Sequence, residues 1–317
     1  MADARVAGVG LTHFGSHPER TGRDLFAEAA LRAFEDAGVP REDVDQLNYG
    51  NYMGSITENQ GHQAPLMAEA AGLRCPATRY EEACASAGVA VREAVRTVRA
   101  GQADVVLAGG MERMSHLDTD DVTAGLSTAS DDLFEVRAGM TFPGAYALMA
   151  RAYFDEYGGT KTDLANVAVK NHANAVPNEY AQYRTEISVE QALDAPDVAT
   201  PLGLYDACPI TDGASAVLVV SAEYAAEHDV DAPVRVRGTG QGTDNMALQD
   251  RAHLARTPAA DDAAAMAYAD AGIEPEDVDV AEVHDCFTIA EVLATESLGF
   301  FEPGEGIDAL AGGEGFY

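Results

Sequence analysis

Apolar residues in the first part of the chain alternate between strand-like and helical spacing. Residues 5–10 read as a short strand, and Thr21 is placed to cap a helix that Gly38 would end in the left-handed conformation. Residues 103–110 (ADVVLAGG) form an apolar run closed by glycines, which is typical of a strand buried on both faces. The apolar stripe of the first helix consists of Leu25, Phe26, Ala29, Ala30, Ala33, Phe34 and Ala37.

The pattern predicts further elements of both kinds. Predicted strands cover 45–49, 77–80, 211–221, 234–240 and 278–283, and predicted helices cover 63–71, 258–271, 288–298 and the stretch from Cys84 to about Ala100. This alternation predicts an α/β protein with a mixed, mostly parallel sheet. Residues 111–204 break the rhythm, since they are polar and show helices near 146–157 and 162–174 without strands. We interpret them as an inserted loop domain.

A ten-residue phrase occurs twice in the chain. DAGVPREDVD at 36–45 and DAGIEPEDVD at 270–279 share seven identical positions. A second echo lies upstream of each copy, VAGVG at 6–10 and VRGTG at 236–240. The offsets of the two echoes, 234 and 230, are nearly equal, which favours duplication of a whole unit over chance similarity.

The duplication predicts two similar halves. We place the first at 1–230, with the loop domain inserted at about 111–204, and the second at 231–317. The second half ends at the counterpart of Ala83, so we expect it to be incomplete relative to the first.

Composition adds an unusual charge. The chain has 53 acidic and 20 basic residues, a net charge of −33, and Lys161 and Lys170 are its two lysines. A strongly acidic surface with few lysines suits a cytoplasm rich in salt, where screening reduces self-repulsion. The same charge argues against binding to nucleic acid or to anionic membranes. No apolar run has spanning length and no signal-peptide core follows Met1, so we expect a cytoplasmic, halophilic protein.

Cys84 is the first candidate for chemistry. It lies between a predicted short strand and a helix of small residues, and a cysteine at a helix N-terminus has a lowered pKa. Ala85, Ala87 and Gly88 would let a substrate approach closely. The alternative, a free cysteine that serves only as a small buried hydrophobe, stays open at this point.

His284 is the second candidate. It stands where an apolar strand is predicted to end and a helix to begin, the usual location of site residues in open α/β sheets. A histidine satisfied by local hydrogen bonds is the alternative. If the halves pack as pseudo-symmetric units, Cys84 and His284 are expected to face one crevice. The other histidines lack ligand spacing and the four cysteines form no CxxC pair, so no metal site is predicted.

Several segments together resemble the thiolases, most closely the archaeal and sterol-carrier-type branch. The resemblance covers essentially the whole chain. It rests on CASAG at 84–88, AGGMERMS at 108–115, FPGAYALMAR at 142–151, DGASA at 212–216 and HDCFT at 284–288. The resemblance implies a layered α/β/α/β/α fold of two pseudo-symmetric halves, with a loop domain inserted in the first and, in this chain, an incomplete second half.

The resemblance also implies a chemistry. Cys84 would be the acylated nucleophile, and His284 would stand where many thiolases have asparagine, holding a water that stabilises the enolate oxygen of the second substrate. Phe287, Cys286 and Met149 would contact the substrate or its CoA portion. Coenzyme A thioesters would be substrates, with no cofactor and no metal. A homodimer or tetramer is implied, together with an HMG-CoA synthase and a small OB-fold protein as partners.

One departure from the family pattern concerns two further segments. Thiolases carry a Gly-His-Pro segment, whose histidine activates the nucleophile, and a Cys-x-Gly segment, whose cysteine is the acid and base; neither occurs in these 317 residues. We therefore expect the 317-residue chain alone to be nearly inactive, because His284 cannot replace these two groups.

The leading function is an acyl-CoA C-acyltransferase that makes or cleaves a 3-ketoacyl-CoA, acetoacetyl-CoA above all. Alternatives are another condensing enzyme of this fold (of the ketoacyl-synthase or HMG-CoA-synthase kind), a non-catalytic thiolase-like subunit, and a Cys–His hydrolase. The HDCFT segment and the long 111–204 insertion favour a thiolase over the other condensing enzymes.

Overall fold

The computed structural model describes residues 3–313 and divides the chain into two units. The first unit comprises the residues up to Gly125 together with Ile210–Arg237, and the second comprises Leu126–Pro209 together with the residues from Gly238 onward. The strands are β1 (Ala4–Leu11), β2 (Gln46–Gly50), β3 (Ala77–Tyr80), β4 (Val105–Glu112), β5 (Asp197–Ala199), β6 (Leu202–Gly203), β7 (Gly213–Ser221) and β8 (Val234–Arg235).

The helices of the described residues are α1 (Gly22–Ala37), α2 (Gly54–Thr57), α3 (Gln63–Ala70), α4 (Ser86–Arg99), α5 (Thr119–Ser127), α6 (Phe142–Tyr157), α7 (Lys161–Ala175), α8 (Val189–Asp194), α9 (Ala222–Glu227), α10 (Pro258–Ala271), α11 (Thr288–Ser297) and α12 (Gly306–Ala311). Seven of them agree closely with those predicted from apolar spacing (α1, α3, α4, α6, α7, α10 and α11), whereas the short helices α2, α5, α8, α9 and α12 were not predicted. Thr21 caps α1 in a capping box, and Gly38 ends it at φ 66°, as predicted.

A six-stranded sheet in the order β3-β2-β4-β7-β1-β8 forms the centre of the first unit. β2 pairs in parallel with β3 and β4, whereas the pairs β4–β7, β7–β1 and β1–β8 are antiparallel. The prediction of a mixed sheet is confirmed, but the prediction that it is mostly parallel is wrong. The reason is β7, which returns after the inserted residues and runs opposite to both of its neighbours.

β4 is buried on both faces, as its apolar run predicted. Alternate residues face two hydrophobic clusters: Leu107 belongs to the cluster that includes α1 and α3, and Val106 belongs to the cluster that includes α4. The register places Leu47, Leu107 and Leu218 side by side across three strands, and all three are fully buried. Helices therefore cover both faces of this sheet.

The repeated phrases form equivalent local structures in the two units. In the first unit, a Cβ on Gly10 would lie 2.0 Å from the Ala29 carbonyl oxygen, so glycine allows α1 to pack directly on β1. In the second unit, a Cβ on Gly240 would lie 1.8 Å from the carbonyl oxygen of Ala263 in α10.

A matching hydrogen bond accompanies each of these contacts. The Val9 amide donates to Asp36 at 2.9 Å, and the Thr239 amide donates to Asp270 at 3.0 Å. Gly272 ends α10 at φ 64°, as Gly38 ends α1. The inference of an internal repeat is therefore supported by equivalent contacts as well as by sequence identity.

Two predicted strands of the second half differ from the structure. Of 234–240 only Val234–Arg235 is a strand, and 278–283 contains none. A strand requires ladder hydrogen bonds to a neighbour, and no strand among the described residues pairs with 278–283. Val280 is accordingly 64% exposed.

The second unit is mainly helical. Its core consists of residues from α6, α7, α11 and α12, joined by Leu202 of the small β5–β6 pair and by Leu248. The described residues include no helix that is both long and apolar enough to cross a membrane.

Candidate active site

Cys84 lies in a tight turn between β3 and α4. The turn is closed by Ser86, whose Oγ accepts from the Glu82 amide at 2.9 Å and donates to the Ala83 carbonyl at 2.7 Å. Ala83 adopts a left-handed conformation at φ 46°, which is rare for a residue with a Cβ and is found where surrounding structure imposes it. The turn thus leaves the Cys84 side chain exposed.

Close packing beneath the turn explains the small residues around it. A Cβ on Gly50, the last residue of β2, would lie 2.4 Å from the Ala87 backbone, so glycine lets the start of α4 sit against the strand. A Cβ on Gly110 would lie 2.3 Å from the Gly50 carbonyl oxygen, so glycine is needed at this position too. Ala87 therefore serves packing rather than substrate access. Gly88 has open space where a Cβ would stand, which fits the predicted access.

The predicted lowering of the Cys84 pKa is wrong. Although the side chain is exposed to solvent, desolvation by the protein atoms around it raises the pKa of the thiol, and the negative charge of Glu112 raises it further. Cys84 stands two residues before Ser86, where α4 begins, and the helix-dipole effect is confined to the terminal turn. At neutral pH the thiol is therefore protonated and needs a base before it can attack.

Glu112 is a site residue that the sequence did not single out. It lies at the end of β4, and its carboxylate accepts hydrogen bonds from the backbone amides of Tyr52 and Met53. Burial raises its pKa to about 7, although these hydrogen bonds oppose the shift. Parallel strands β2, β3 and β4 end at the same edge of the sheet, which is why Tyr52, Cys84 and Glu112 come together there.

Asp212 holds three loops of the first unit together. It is fully buried, and its carboxylate accepts hydrogen bonds from the amides of His17, Met114 and Ser115 and from the Ser115 hydroxyl. Burial tends to raise its pKa, but these hydrogen bonds outweigh burial and lower it. The DGASA and AGGMERMS segments, which carried the family resemblance, thus meet at this carboxylate.

His284 lies in the irregular segment that precedes α11. Its side chain is exposed, yet the surrounding protein lowers the pKa of the imidazole by desolvation, while the Asp285 carboxylate opposes the shift. The ring is therefore neutral at neutral pH and can both donate and accept a hydrogen bond. His284 belongs to the second unit and Cys84 to the first, and their shared crevice stays a prediction.

The segment that directly follows His284 is anchored at three residues. Asp285 accepts a hydrogen bond from Asn171 at 2.8 Å, and the Cys286 carbonyl accepts from the Cys208 amide at 3.0 Å. Thr288, the first residue of α11, donates to the buried Asp206 at 2.7 Å. The chain is therefore fixed by contacts from Asp285 onward, directly after His284.

Met149, Cys286 and Phe287 all lie in the core of the second unit. All three are buried, and Phe287 packs against the rings of Tyr146 at 4.8 Å and Phe142 at 5.5 Å. Their burial favours a packing role, and their contact with CoA stays a prediction. Among residues 3–313 no three His, Cys, Asp or Glu side chains are grouped in a way that could hold a metal ion.

Comparison with known proteins identifies the class to which this fold and its cysteine turn belong. Residues 4–223 match the model for the thiolase N-terminal domain, and residues 240–316 match the thiolase C-terminal domain-like model. The chain belongs to the thiolase family, which confirms the resemblance seen in its motifs.

Individual relatives include archaeal and sterol-carrier-type members of this family. The chain is 44% identical to an acetyl-CoA acetyltransferase of Methanothermobacter thermautotrophicus, over 99% of this chain and 81% of the relative. It is 28% identical to human sterol carrier protein 2, over 98% of this chain and 59% of the relative. Among solved structures it is similar to the Ltp2-ChsH2(DUF35) aldolase, with 28% identity, a TM-score of 0.82 and coverage of 98% of this chain and 80% of the other.

Proposed function

We propose that this protein is an acyl-CoA C-acyltransferase that forms or cleaves acetoacetyl-CoA through a thioester on Cys84. The observation that carries the proposal is the 44% identity, over nearly the whole chain, to an archaeal acetyl-CoA acetyltransferase. The exposed Cys84 supplies a nucleophile in a segment that matches the family pattern.

The first half of the proposed reaction is acyl transfer to the protein. After a base takes the Cys84 proton, the thiolate attacks the thioester carbonyl of acetyl-CoA. The carbon–sulfur bond to CoA breaks, CoA leaves as its thiolate and is protonated, and Cys84 carries the acetyl group. The raised pKa of Cys84 makes the base necessary.

The second half forms a carbon–carbon bond. A base removes a proton from the α-carbon of a second acetyl-CoA, and the resulting carbanion attacks the Cys84 thioester carbonyl. Acetoacetyl-CoA forms and the Cys84 thiolate is released. His284, whose ring is neutral, would hold the water that stabilises the enolate oxygen.

The biological setting belongs to the same proposal. Acetoacetyl-CoA would feed the mevalonate pathway in the cytoplasm of a halophilic archaeon, and the enzyme would act as a homodimer or tetramer. An HMG-CoA synthase and a small OB-fold protein are the partners expected from the family. The similar Ltp2-ChsH2(DUF35) aldolase, whose name joins two components, supports an assembly with a second protein.

A steady-state assay tests this function. We expect a form of the protein that also carries the Gly-His-Pro and Cys-x-Gly segments to consume acetoacetyl-CoA and CoA with formation of acetyl-CoA. In that form, Cys84→Ser should reduce kcat by more than about a thousandfold because the nucleophile is lost. Cys208→Ser, which changes another exposed cysteine, serves as the matched control and should keep full activity. Equal activity of Cys84→Ser and Cys208→Ser would contradict the proposal.

A further inference from the structure

A buried ionic network lies beside the His284 segment. Lys170 on α7 and Glu291 on α11 are 4% and 6% exposed, and Lys170 Nζ lies 2.7 Å from Glu291 Oε1. Asn171 completes the network, because its Oδ1 accepts from Lys170 and its Nδ2 donates to Glu291 Oε2 at 2.7 Å. The same Nδ2 donates to Asp285 Oδ2 at 2.8 Å.

Both the oxygen and the NH₂ group of the Asn171 side chain therefore form hydrogen bonds. Its oxygen faces the ammonium, and its NH₂ group bridges a buried carboxylate and an exposed one. The buried ion pair holds the amide in one orientation, since rotation would place the NH₂ group against Lys170 and leave Glu291 without this donor. The position of Asp285, and with it the adjacent His284, is thus connected to the packing of α7 against α11.

A solely stabilising role for this network is the competing explanation. A buried ion pair is weak evidence for stability, because the desolvation of two charges offsets much of their attraction. The Lys170–Glu291 pair alone would satisfy both charges without a further residue. The extension from Asn171 to Asp285, one residue from His284, is the feature that a solely stabilising pair does not require.

We propose that Asn171 is a positioning residue, which acts through Asp285 to hold His284 where the carbon–carbon bond-forming step needs it. This inference rests on the proposed function of His284. A displacement of about 1 Å in a catalytic group can reduce a rate by about a hundredfold. The acylation of Cys84 does not use His284 in this mechanism and should not depend on Asn171.

The test compares four variants of the full protein: Asn171→Ala, Asp285→Ala, the double variant of both, and Asn166→Ala as the matched control. Asn166 lies on the same helix, but its side chain donates to the Thr162 carbonyl of its own helix. The first readout is steady-state kcat and KM for acetyl-CoA condensation. The second is the rate at which acetyl-CoA acylates Cys84, measured by intact mass.

We expect Asn171→Ala and Asp285→Ala each to lower kcat by about tenfold to a hundredfold, with acylation and KM within about twofold of wild type. The double variant should be no slower than either single variant, because both changes remove the same connection. Asp285→Ala leaves the buried Lys170–Glu291 pair intact and decides the question if Asn171→Ala does not fold.

Other outcomes overturn the inference. It fails if Asn171→Ala or Asp285→Ala has a kcat like that of Asn166→Ala, or if their losses multiply in the double variant. It also fails if acylation slows as much as turnover, since the network would then act on the whole fold. Absence of any Cys84 acyl adduct in an active wild-type protein would instead overturn the proposed function, and the inference with it.

Discussion

Single side chains of the first unit set the electrostatics of the candidate nucleophile. The sequence suggested an activated Cys84 at a helix start, whereas the structure places the thiol before the helix and near the buried Glu112. The spacing of residues could not show this, because burial and a charge contributed by another strand decide the pKa. The sequence did offer one signal: Glu112 follows the apolar run of β4. An ionisable residue at the carboxyl end of such a strand lies at the edge of the sheet where sites form.

Glu112→Gln should increase the reactivity of Cys84. Because the carboxylate charge raises the pKa of the thiol, its removal lowers that pKa and increases the thiolate fraction above pH 7, where Glu112 is ionised. We expect the iodoacetamide alkylation profile of Cys84, mapped by peptide mass, to move to lower pH. Cys75, whose raised pKa arises first from burial and then from Asp45, is the internal control and should not move. A Cys84 profile that stays in place contradicts the assignment.

Asp212→Asn should destabilise the protein in a pH-dependent way. The folded-state pKa of Asp212 is lowered, so its contribution to stability is present above the unfolded-state value of 3.8 and is lost as pH falls through the folded-state value. At pH 7 we expect a loss of about 3 kcal/mol, the upper range for hydrogen bonds to a charged group. Urea unfolding at pH 7 and near pH 3 measures the difference, which should shrink at the lower pH. The exposed Asp120→Asn is the control, and an equal loss in both variants would count against this role.

At the scale of elements, the sequence predicted what depends on local pattern. The stripe from Leu25 to Ala37, the Thr21 cap and the Gly38 end fixed α1 to within a residue, and the repeated phrase located α10 in the same way. Prediction failed where a neighbour decides the outcome: 278–283 is apolar enough for a strand but has no described strand to pair with. The direction of β7 also follows from the inserted residues, which local pattern does not describe.

The network between α7 and α11 was missed, although one signal was present. The chain has only two lysines, and Lys170 lies within the predicted helix 162–174, which indicates a specific role for this residue. Lys170 proves to be buried against Glu291, whereas Lys161 forms a more exposed ion pair with Asp197. The partner and the extension to Asp285 could not be predicted, because they depend on how two helices distant in sequence pack.

Lys170→Met should therefore be far more damaging than Lys161→Met. Removing one partner of a buried ion pair leaves an uncompensated charge and costs about 3–5 kcal/mol, whereas loss of an exposed pair costs about 1 kcal/mol or less. Chemical denaturation of both variants measures the difference in the free energy of unfolding. The double variant Lys170→Met/Glu291→Met should recover much of the loss, because it removes both charges. Equal effects of the two lysine substitutions would show that the buried pair does not matter to stability.

At the scale of the whole molecule, the net charge is the property that most affects folding and substrate binding. A net charge of −33 creates long-range repulsion that salt screens, since the Debye length falls from about 10 Å at 0.1 M to about 3 Å at 1 M. CoA thioesters are also anionic, so screening should assist their binding as well as folding. The composition thus bears on the conditions in which the fold and its activity are to be measured.

The protein should become more stable as KCl is raised from 0.1 to 2 M. Thermal unfolding followed by circular dichroism checks this, with sucrose of equal osmolality as the control for general solute exclusion. A midpoint that rises with KCl well beyond the effect of sucrose supports screening. A midpoint that is unchanged or lower in 2 M KCl contradicts the expectation of a salt-adapted protein.

The central claim is that Cys84 carries the acyl group, and intact mass spectrometry tests it most directly. After incubation of the protein with acetyl-CoA in molar KCl and quenching in acid, we predict one acetyl adduct of about 42 Da that peptide mapping places on Cys84. The adduct should be discharged by added CoA and be absent from Cys84→Ser. An adduct that persists in Cys84→Ser and maps to Cys208 or Cys286, or an active protein that forms no adduct, would contradict the account.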